Sequence, residues 1–320
     1  MSGSKKTVTI ISSALNEELC LPEFFRRLDE IFAAEENYQF EIIIFDNGSS
    51  DRSWEIIQKR VATSSTTRGI KFSRTFSLDA AFTCGLDLAS SDVVVVMASD
   101  LQDPPEIIPQ MLRRYESGAL QVLVKVRSRN SVPVIRRKLS SLYYKLANKL
   151  SDGHLPEKVS DFRLLDKKVY SEIRKLREQH RYFRGLSVWV GYPLDFVEID
   201  RPSRFVGKSS WLSTRFTKVV SVALRNIFSF TSKPLSFIFG FGIFASALSA
   251  LILTVYGAYL FFQGQPPFNG FGTLLAAMIL SFSINTLLLG ILAEYLGLIF
   301  DEVKQRPLYL IERDSKDVEG

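Results

Sequence analysis

No charged residue lies between Lys233 and Glu294, and that gap divides the chain into two parts suited to different solvents. A helix needs roughly 20 apolar residues to cross a bilayer core, so the uncharged run is long enough for two crossings. Gln263-Gly264-Gln265-Pro266-Pro267-Phe268-Asn269-Gly270 interrupts it with turn chemistry. The run therefore predicts a helical hairpin with spans near 235–262 and 271–293. A pair of buried core helices is the competing reading, and the length argues against it. Lys208, Arg215, Lys218, Arg225 and Lys233 precede the first span, Lys304, Arg306 and Arg313 follow the second, and the connecting loop is uncharged. The positive-inside rule then puts both termini and the globular part in the cytoplasm. Small residues in the spans (Gly240, Gly242, Ala245, Ala247, Gly290 and Ala293) would let helices approach closely, as in a homo-oligomer.

Ahead of the hairpin, strand and helix signals alternate. The strands expected are 8–12, 40–45, 70–72, 93–97 and 121–126, and between them helical patterns fall at 21–34, 52–62, 79–89 and 105–117. This rhythm predicts an α/β fold with a doubly wound, mostly parallel sheet. A basic helical stretch at 136–150, a polar loop and a helix at 169–176 follow. Residues 206–233 set Trp211, Phe216 and Phe228 against Lys and Arg at helical spacing. That pattern fits amphipathic helices lying in a membrane interface, with a helix packed on the core as the alternative. The divisions expected are thus a globular domain at 1–205, interfacial helices at 206–233, two transmembrane helices at 234–300 and a cytoplasmic tail at 301–320. Met1–Lys6 runs straight into the first strand, so no signal peptide is expected. Cys20 and Cys84 are expected to be reduced and structural. A net charge of +6 and a pI near 9.2 fit a protein that leans on anionic lipid and handles anionic ligands. No basic stripe with interleaved aromatics appears, so nucleic acid is not an expected partner.

The chemistry concentrates where strands end. The first strand runs into Asn16-Glu17, the second into Asp46-Asn47-Gly48-Ser49-Ser50-Asp51, and the valine run at 93–96 into Asp100-Leu101-Gln102-Asp103-Pro104-Pro105-Glu106. Open α/β sheets bind ligands at the carboxyl ends of their strands. Carboxylates and carboxamides there can accept hydrogen bonds from a nucleobase or ribose. Asp100 and Gln102 offer hard oxygen ligands to Mg²⁺ or Mn²⁺ carried on a diphosphate. Taken singly, Asp46, Asp51 and Asp103 also read as turn and capping residues.

With these loops the chain resembles the family 2 glycosyltransferases, and within them the polyprenyl-phosphate sugar synthases: dolichol-phosphate mannose synthases and bactoprenol glucosyltransferases. The matching segments are Asn16-Glu17, Asp46 to Asp51, Ala98 to Glu106, Ser160-Asp161-Phe162-Arg163-Leu164 and Arg204-Phe205-Val206-Gly207-Lys208-Ser209. Ala293-Glu294-Tyr295-Leu296-Gly297 and Asp301 to Tyr309 look like the bacterial two-span branch, so the resemblance covers essentially the whole chain. It implies a GT-A-type fold in the bacterial inner membrane. It also implies inverting transfer of one sugar, glucose from UDP-glucose, to undecaprenyl phosphate; GDP-mannose is the alternative donor. A scaffold protein that partners a flippase is the rival from another class. A processive polysaccharide synthase is disfavoured, because Gln179-His180-Arg181-Tyr182 does not match the Gln-x-x-Arg-Trp motif of that class.

Residue by residue, the resemblance implies Asp100, Asp161 and Arg163 as catalytic groups. It implies Asn16, Glu17, Asp46, Asn47, Arg74, Asp100, Arg184 and Arg204 around the donor, with Asp100 and Gln102 on the metal. Arg127, Arg136, Arg137 and Ser140 would take the lipid phosphate, a solvated basic face being the alternative for them. The chain departs from the family pattern at several points. Ala98 stands where a first carboxylate is expected, Asn47 for a second Asp, Thr75 and Ser77 for an Asn and a Gly, and Ser210 for a Lys.

Overall fold

The computed structural model describes residues 5–127, 159–200 and 271–319, with scattered helical positions between 241 and 262. The apolar runs become strands β1 (Lys6–Ala14), β2 (Tyr38–Asp46), β3 (Thr67–Phe72), β4 (Val93–Ala98) and β5 (Gln121–Val126). Helices α1 (Leu21–Ala34), α2 (Ser53–Thr63), α3 (Leu78–Leu88) and α4 (Ile108–Glu116) alternate with them, as the pattern predicts. Beyond these come β6 (Val159–Asp166), α5 (Lys167–Lys175), α6 (Phe183–Trp189), β7 (Leu194–Ile199), the long helix α7 (Phe271–Val303) and β8 (Ile311–Asp314). The chain divides into two compact units, Met1–Val220 with Arg306–Gly320, and Ser221–Gln305.

One eight-stranded sheet, ordered β7-β5-β6-β4-β1-β2-β3-β8, organises the first unit. Strands β1 to β4 run parallel, β7 runs parallel to β5, and β6 and β8 are antiparallel to their neighbours. Period-two alternation sends Val93, Val95 and Met97 to the face covered by α1, α2 and α4. Val94 and Val96 go to the opposite face, under α3, α5 and α6. Burying both faces is why β4 reads as continuous valine and not as an alternating strand. Helix α3 lies so close to β1 that a Cβ on Gly85 would come within 2.3 Å of Ile11 Cγ2. The chain moves from β1 to β2 in one direction and later returns to place β4 on the other side of β1. The carboxyl ends of β1 and β4 therefore flank a topological switch point, the place where such sheets open a crevice.

Three strands were not legible in the sequence. Strand β6 arises in the segment expected to be a polar loop. Asp161 and Arg163 disguise its alternation, although Phe162 and Leu164 face one core and Leu165 the other. Strand β7 adds a parallel edge beyond β5. Strand β8, within the expected tail, pairs antiparallel with β3 and closes the other edge. Arg68 fixes β8 through Nε to Asp314 Oδ1 (3.0 Å) and Nη2 to Asp314 Oδ2 (2.5 Å).

In the second unit α7 is one continuous helix of 33 residues that passes the expected end of the second span at Ala293. Its segment Ile284–Val303 is the one stretch among the described residues long and apolar enough to cross a membrane. The basic stretch 136–150, the interfacial helices 206–233 and most of the first expected span lie outside the described residues.

Candidate functional site

The loops that leave β1 and β2 are tied to each other before they meet any ligand. Asn16 adopts a left-handed φ of +56°, a conformation Asn tolerates better than most side chains. Its Oδ1 accepts the Ser50 N–H (2.8 Å), and its own N–H donates to Ser49 Oγ (3.0 Å). The Glu17 N–H donates to Ser53 Oγ (2.9 Å) and the Glu18 N–H to Asp51 Oδ2 (3.1 Å). Asp51 Oδ1 also accepts the Ser53 N–H (2.9 Å) ahead of α2, so Asp51 is a turn residue, and Arg52 stands at the helix cap. Gly48 has φ +79°, and a Cβ there would sit 2.9 Å from both Thr75 N and Thr75 Oγ1. Only glycine lets the β2 and β3 loops approach this closely. Asn47 joins the same loops: its Nδ2 donates to Phe76 O (2.9 Å) and its Oδ1 accepts the Phe76 N–H (2.8 Å). At the rim, the exposed Arg74 guanidinium stacks 4.0 Å over the Phe76 ring.

Within this frame Asp46 is fully buried at the end of β2. Its Oδ1 accepts the Ser49 N–H (3.3 Å), while its Oδ2 has no hydrogen-bond partner among the described residues. Burial raises its carboxyl above the ordinary carboxylate value, with the Ser49 bonds opposing. Buried acceptors are rarely left unpaired in a finished structure, so this oxygen suits an N–H or O–H supplied by a ligand.

At the end of β4, Ser99 is buried and its Oγ donates to Ser13 O (3.0 Å), locking the β4 loop to β1. Leu101, at φ +58°, turns into the core and leaves Asp100 and Gln102 partly exposed on either side of it. Asp100 Oδ1 accepts the Gln102 N–H (3.1 Å). Among the described residues no group of three or more His, Cys, Asp or Glu side chains could hold a metal ion alone. One carboxylate and one carboxamide instead suit a hard divalent cation whose remaining ligands are water and phosphate oxygens. The donor set fits a cation that arrives on a diphosphate.

A second polar cluster lies on the α3/α6 side of the sheet. Asp161, near the start of β6, forms a two-pronged ion pair with Arg184 of α6: Nε to Oδ1 and Nη2 to Oδ2, both 2.6 Å. Both side chains are part-exposed.

Arg163 corrects an expectation. Instead of reaching reacting atoms it is fully enclosed, stacks over Phe183, and donates to the carbonyls of Ser160 (2.9 Å), Asp161 (3.3 Å) and Phe183 (3.4 Å) and to Ser187 Oγ. Burial lowers its pKa to about 10, with Asp161 opposing, so it stays charged at neutral pH. Its donors knit β6 to α6, which makes it a positioning residue.

Sequence reasoning missed Asp79, in the first turn of α3. Its Oδ1 accepts the Phe183 N–H (3.2 Å), and it faces Asp161. Burial, then the Asp161 charge, raises its carboxyl to about 6. Nothing in the sequence marks it, because its neighbours come from β6 and α6, far along the chain. Of the expected acceptor group, Arg127 is exposed and bound through Nε to Glu198 Oε2 (2.9 Å) on β7. Arg136, Arg137, Ser140 and Arg204 lie outside the described residues.

Known proteins share this sequence pattern. The family model described as Glycosyl transferase family 2 matches residues 9–174. The chain is 33% identical over 307 residues to the uncharacterized glycosyltransferase YkcC of Bacillus subtilis (strain 168), covering 95% of this chain and 93% of that relative. It is 32% identical over 312 residues to the SfII prophage-derived bactoprenol glucosyl transferase of Shigella flexneri, covering 97% of this chain and 98% of the relative. Among solved structures, glucosyl-3-phosphoglycerate synthase from Mycobacterium tuberculosis, in complex with Mn²⁺, UDP and phosphoglyceric acid, gives a TM-score of 0.49 at 16% identity. That match covers 70% of this chain and 76% of that one, a likeness too slight to argue from.

Proposed function

The chain belongs to glycosyl transferase family 2, and from that premise we propose that it transfers a single sugar from a nucleotide sugar to a polyprenyl phosphate at the cytoplasmic membrane face. The donor we infer is UDP-glucose and the acceptor undecaprenyl phosphate, with inversion at the anomeric carbon. The observation that carries this reading is end-to-end similarity to a bactoprenol glucosyl transferase, through the uncharged region and the residues that follow it. A likeness confined to the sheet would support only nucleotide-sugar binding.

The chemistry asks little of a general base. A lipid phosphate is already an anion, and it attacks the anomeric carbon in line with the departing nucleoside diphosphate. Catalysis then rests on positioning and on charge stabilisation. The open Oδ2 of Asp46 is the acceptor for an N–H of the base, while Asn16 and Asn47 keep the loops around it in place. Glu17 at the β1 end and Arg74 at the rim border the same crevice. Asp100 and Gln102 would hold Mg²⁺ or Mn²⁺, which when bound neutralises charge on the leaving diphosphate. Arg184, with Asp161 orienting it, is the arginine of the described cluster best placed to turn towards a phosphate. Arg127, with Arg136, Arg137 and Ser140, is proposed for the acceptor phosphate, and Arg204 for the donor. Helix α7 and the uncharged segment before it would hold the enzyme to the bilayer, as a homo-oligomer.

The test incubates membranes containing the full chain with radiolabelled UDP-glucose or GDP-mannose, undecaprenyl phosphate and Mg²⁺ or Mn²⁺. Labelled lipid from UDP-glucose is the expected result, and labelled lipid from GDP-mannose alone would move the donor assignment. No lipid-linked sugar from any nucleotide sugar would overturn the reading. Asp100→Ala is expected to abolish transfer, and full turnover in that variant would refute the metal assignment.

A further inference from the structure

Helices α3 and α6 meet at a polar contact that the reaction as described leaves unused. Asp79 belongs to α3, directly after the β3 loop that carries Arg74. Its carboxylate accepts the first N–H of α6 from Phe183 (3.2 Å), next to the residue that bears the Arg184 guanidinium. Its backbone carbonyl is itself held by Thr83 Oγ1 (2.7 Å). Among the described residues, the charged groups that face it are Asp161 and Arg163 from β6, Arg184 from α6 and Arg181 from the segment before α6; the first turn of its own helix adds no other titratable side chain. Of these arginines, Arg163 is committed to carbonyls of β6 and α6 and to Ser187, and Arg181 donates to Leu176 O and Ile173 O. Arg184 alone presents its guanidinium to a carboxylate in a part-exposed position.

We propose that Asp79 is a positioning residue for the Asp161–Arg184 pair, and that a proton taken up by Asp79 accompanies the transfer of Arg184 from Asp161 to an incoming phosphate. The inference deepens the reading above and rests on it for the identity of the phosphate. While Arg184 is in place, its charge serves two neighbouring carboxylates. When it turns to a phosphate, those carboxylates face each other with less cationic cover, and like charges at short range favour protonation of one of them. The Asp79 carboxyl, part-exposed like that of Asp161, already has its charged form disfavoured. One proton moves from solvent to the Asp79 carboxylate and no covalent bond changes. Binding of a phosphate anion at Arg184 therefore strengthens as pH falls through about 6.

Asp79→Asn separates this role from a purely structural one, because the Asn Oδ1 still accepts the Phe183 N–H while the titrating group is gone. The experiment measures inorganic pyrophosphate binding to the detergent-solubilised full chain between pH 5.5 and 7.5, for the parent and the variant. The ionisation of pyrophosphate is common to both and cancels in the ratio of their affinities. If bound phosphate raises the Asp79 pKa by one unit, that ratio changes about sixfold across the window, with the parent gaining at the acid end. The transfer assay is run in parallel, where the parent is expected to show the same acid-side gain in KM, and little in kcat, relative to Asp79→Asn. Equal pH dependence in the two proteins, or no pyrophosphate binding by the parent, would overturn the proposal. A lower unfolding temperature in the variant with an unchanged affinity ratio would overturn it as well and leave Asp79 a simple tie. Pyrophosphate binding with the expected ratio but no sugar transfer would sink the function reading and leave this inference standing.

Discussion

Replacing Arg163 with methionine separates a residue that touches the reacting groups from one that builds the site. Methionine fills a similar length but offers no donors, so the carbonyls of Ser160, Asp161 and Phe183 each lose a guanidinium donor, and the Ser187 hydroxyl keeps only its bond to Arg184 O. A buried acceptor left unpaired costs about 1–3 kcal/mol, and removing one member of a buried ionic cluster costs about 3–5 kcal/mol in total. Part of this is offset, because the methionine variant no longer pays to bury a guanidinium. The net expectation is a loss of about 3–4 kcal/mol from a stability of about 5–15 kcal/mol. For a folded unit of this size that lowers the unfolding midpoint by about 10 °C. Thermal unfolding of the detergent-solubilised full chain, followed by intrinsic fluorescence, reads it directly. Arg163→Lys keeps a charge without the planar fork and is expected to fall between the two. An unchanged midpoint combined with loss of transfer would refute the assignment and return Arg163 to the reacting atoms.

Two further perturbations address the loops and the edge strand. Gly48→Ala puts a Cβ 2.9 Å from the Thr75 backbone nitrogen at φ +79°, so the β2 and β3 loops must separate and donor KM should rise at least tenfold. Gly118→Ala, at φ +104° with none of the described residues within 4 Å, carries backbone strain alone, and an equal effect in both variants would show that loop closeness is irrelevant. Asp314 anchors β8: burial opposes its ionisation, but Arg68 and the Lys316 N–H hold its carboxyl below the ordinary value. Its contribution is therefore complete above the unfolded value near 4 and is lost as pH falls through the lower folded value. Asp314→Asn should lower the unfolding midpoint at pH 7 and converge on the parent at strongly acidic pH; a constant difference at all pH values would refute the ion-pair account.

The strands that the sequence announces are those whose burial is spelled out locally. The run at 93–96 is apolar on both faces because helices cover both, and the polar residues that end β1, β2 and β4 stand out against such runs. Strands β6 and β8 are hidden for different reasons. The first carries a fully buried arginine that needs acceptors from α6 as well as from its own strand, and the second is a four-residue segment, Ile-Glu-Arg-Asp, whose pairing partner lies near the other end of the chain. The same limit governs the site. Three strand-end loops can be read one at a time, but the Asp79–Asp161–Arg184 cluster exists only after β6 has been laid beside β4.

The departures from the family pattern change meaning in that geometry. Asn47 looks like a carboxylate that has lost its charge, yet its amide both donates to and accepts from Phe76, and a carboxylate could only accept. Ala98 looks like a missing metal ligand. The β4–β6 register pairs Val96 with Arg163, so continuing it two residues brings Ala98 level with Asp161, on the face shared with α3 and α6. There Asp161 already holds Arg184 through both carboxylate oxygens. A carboxylate at 98 would compete with Asp161 for that guanidinium and add like charge where burial already raises the Asp79 carboxyl to about 6, and alanine avoids both.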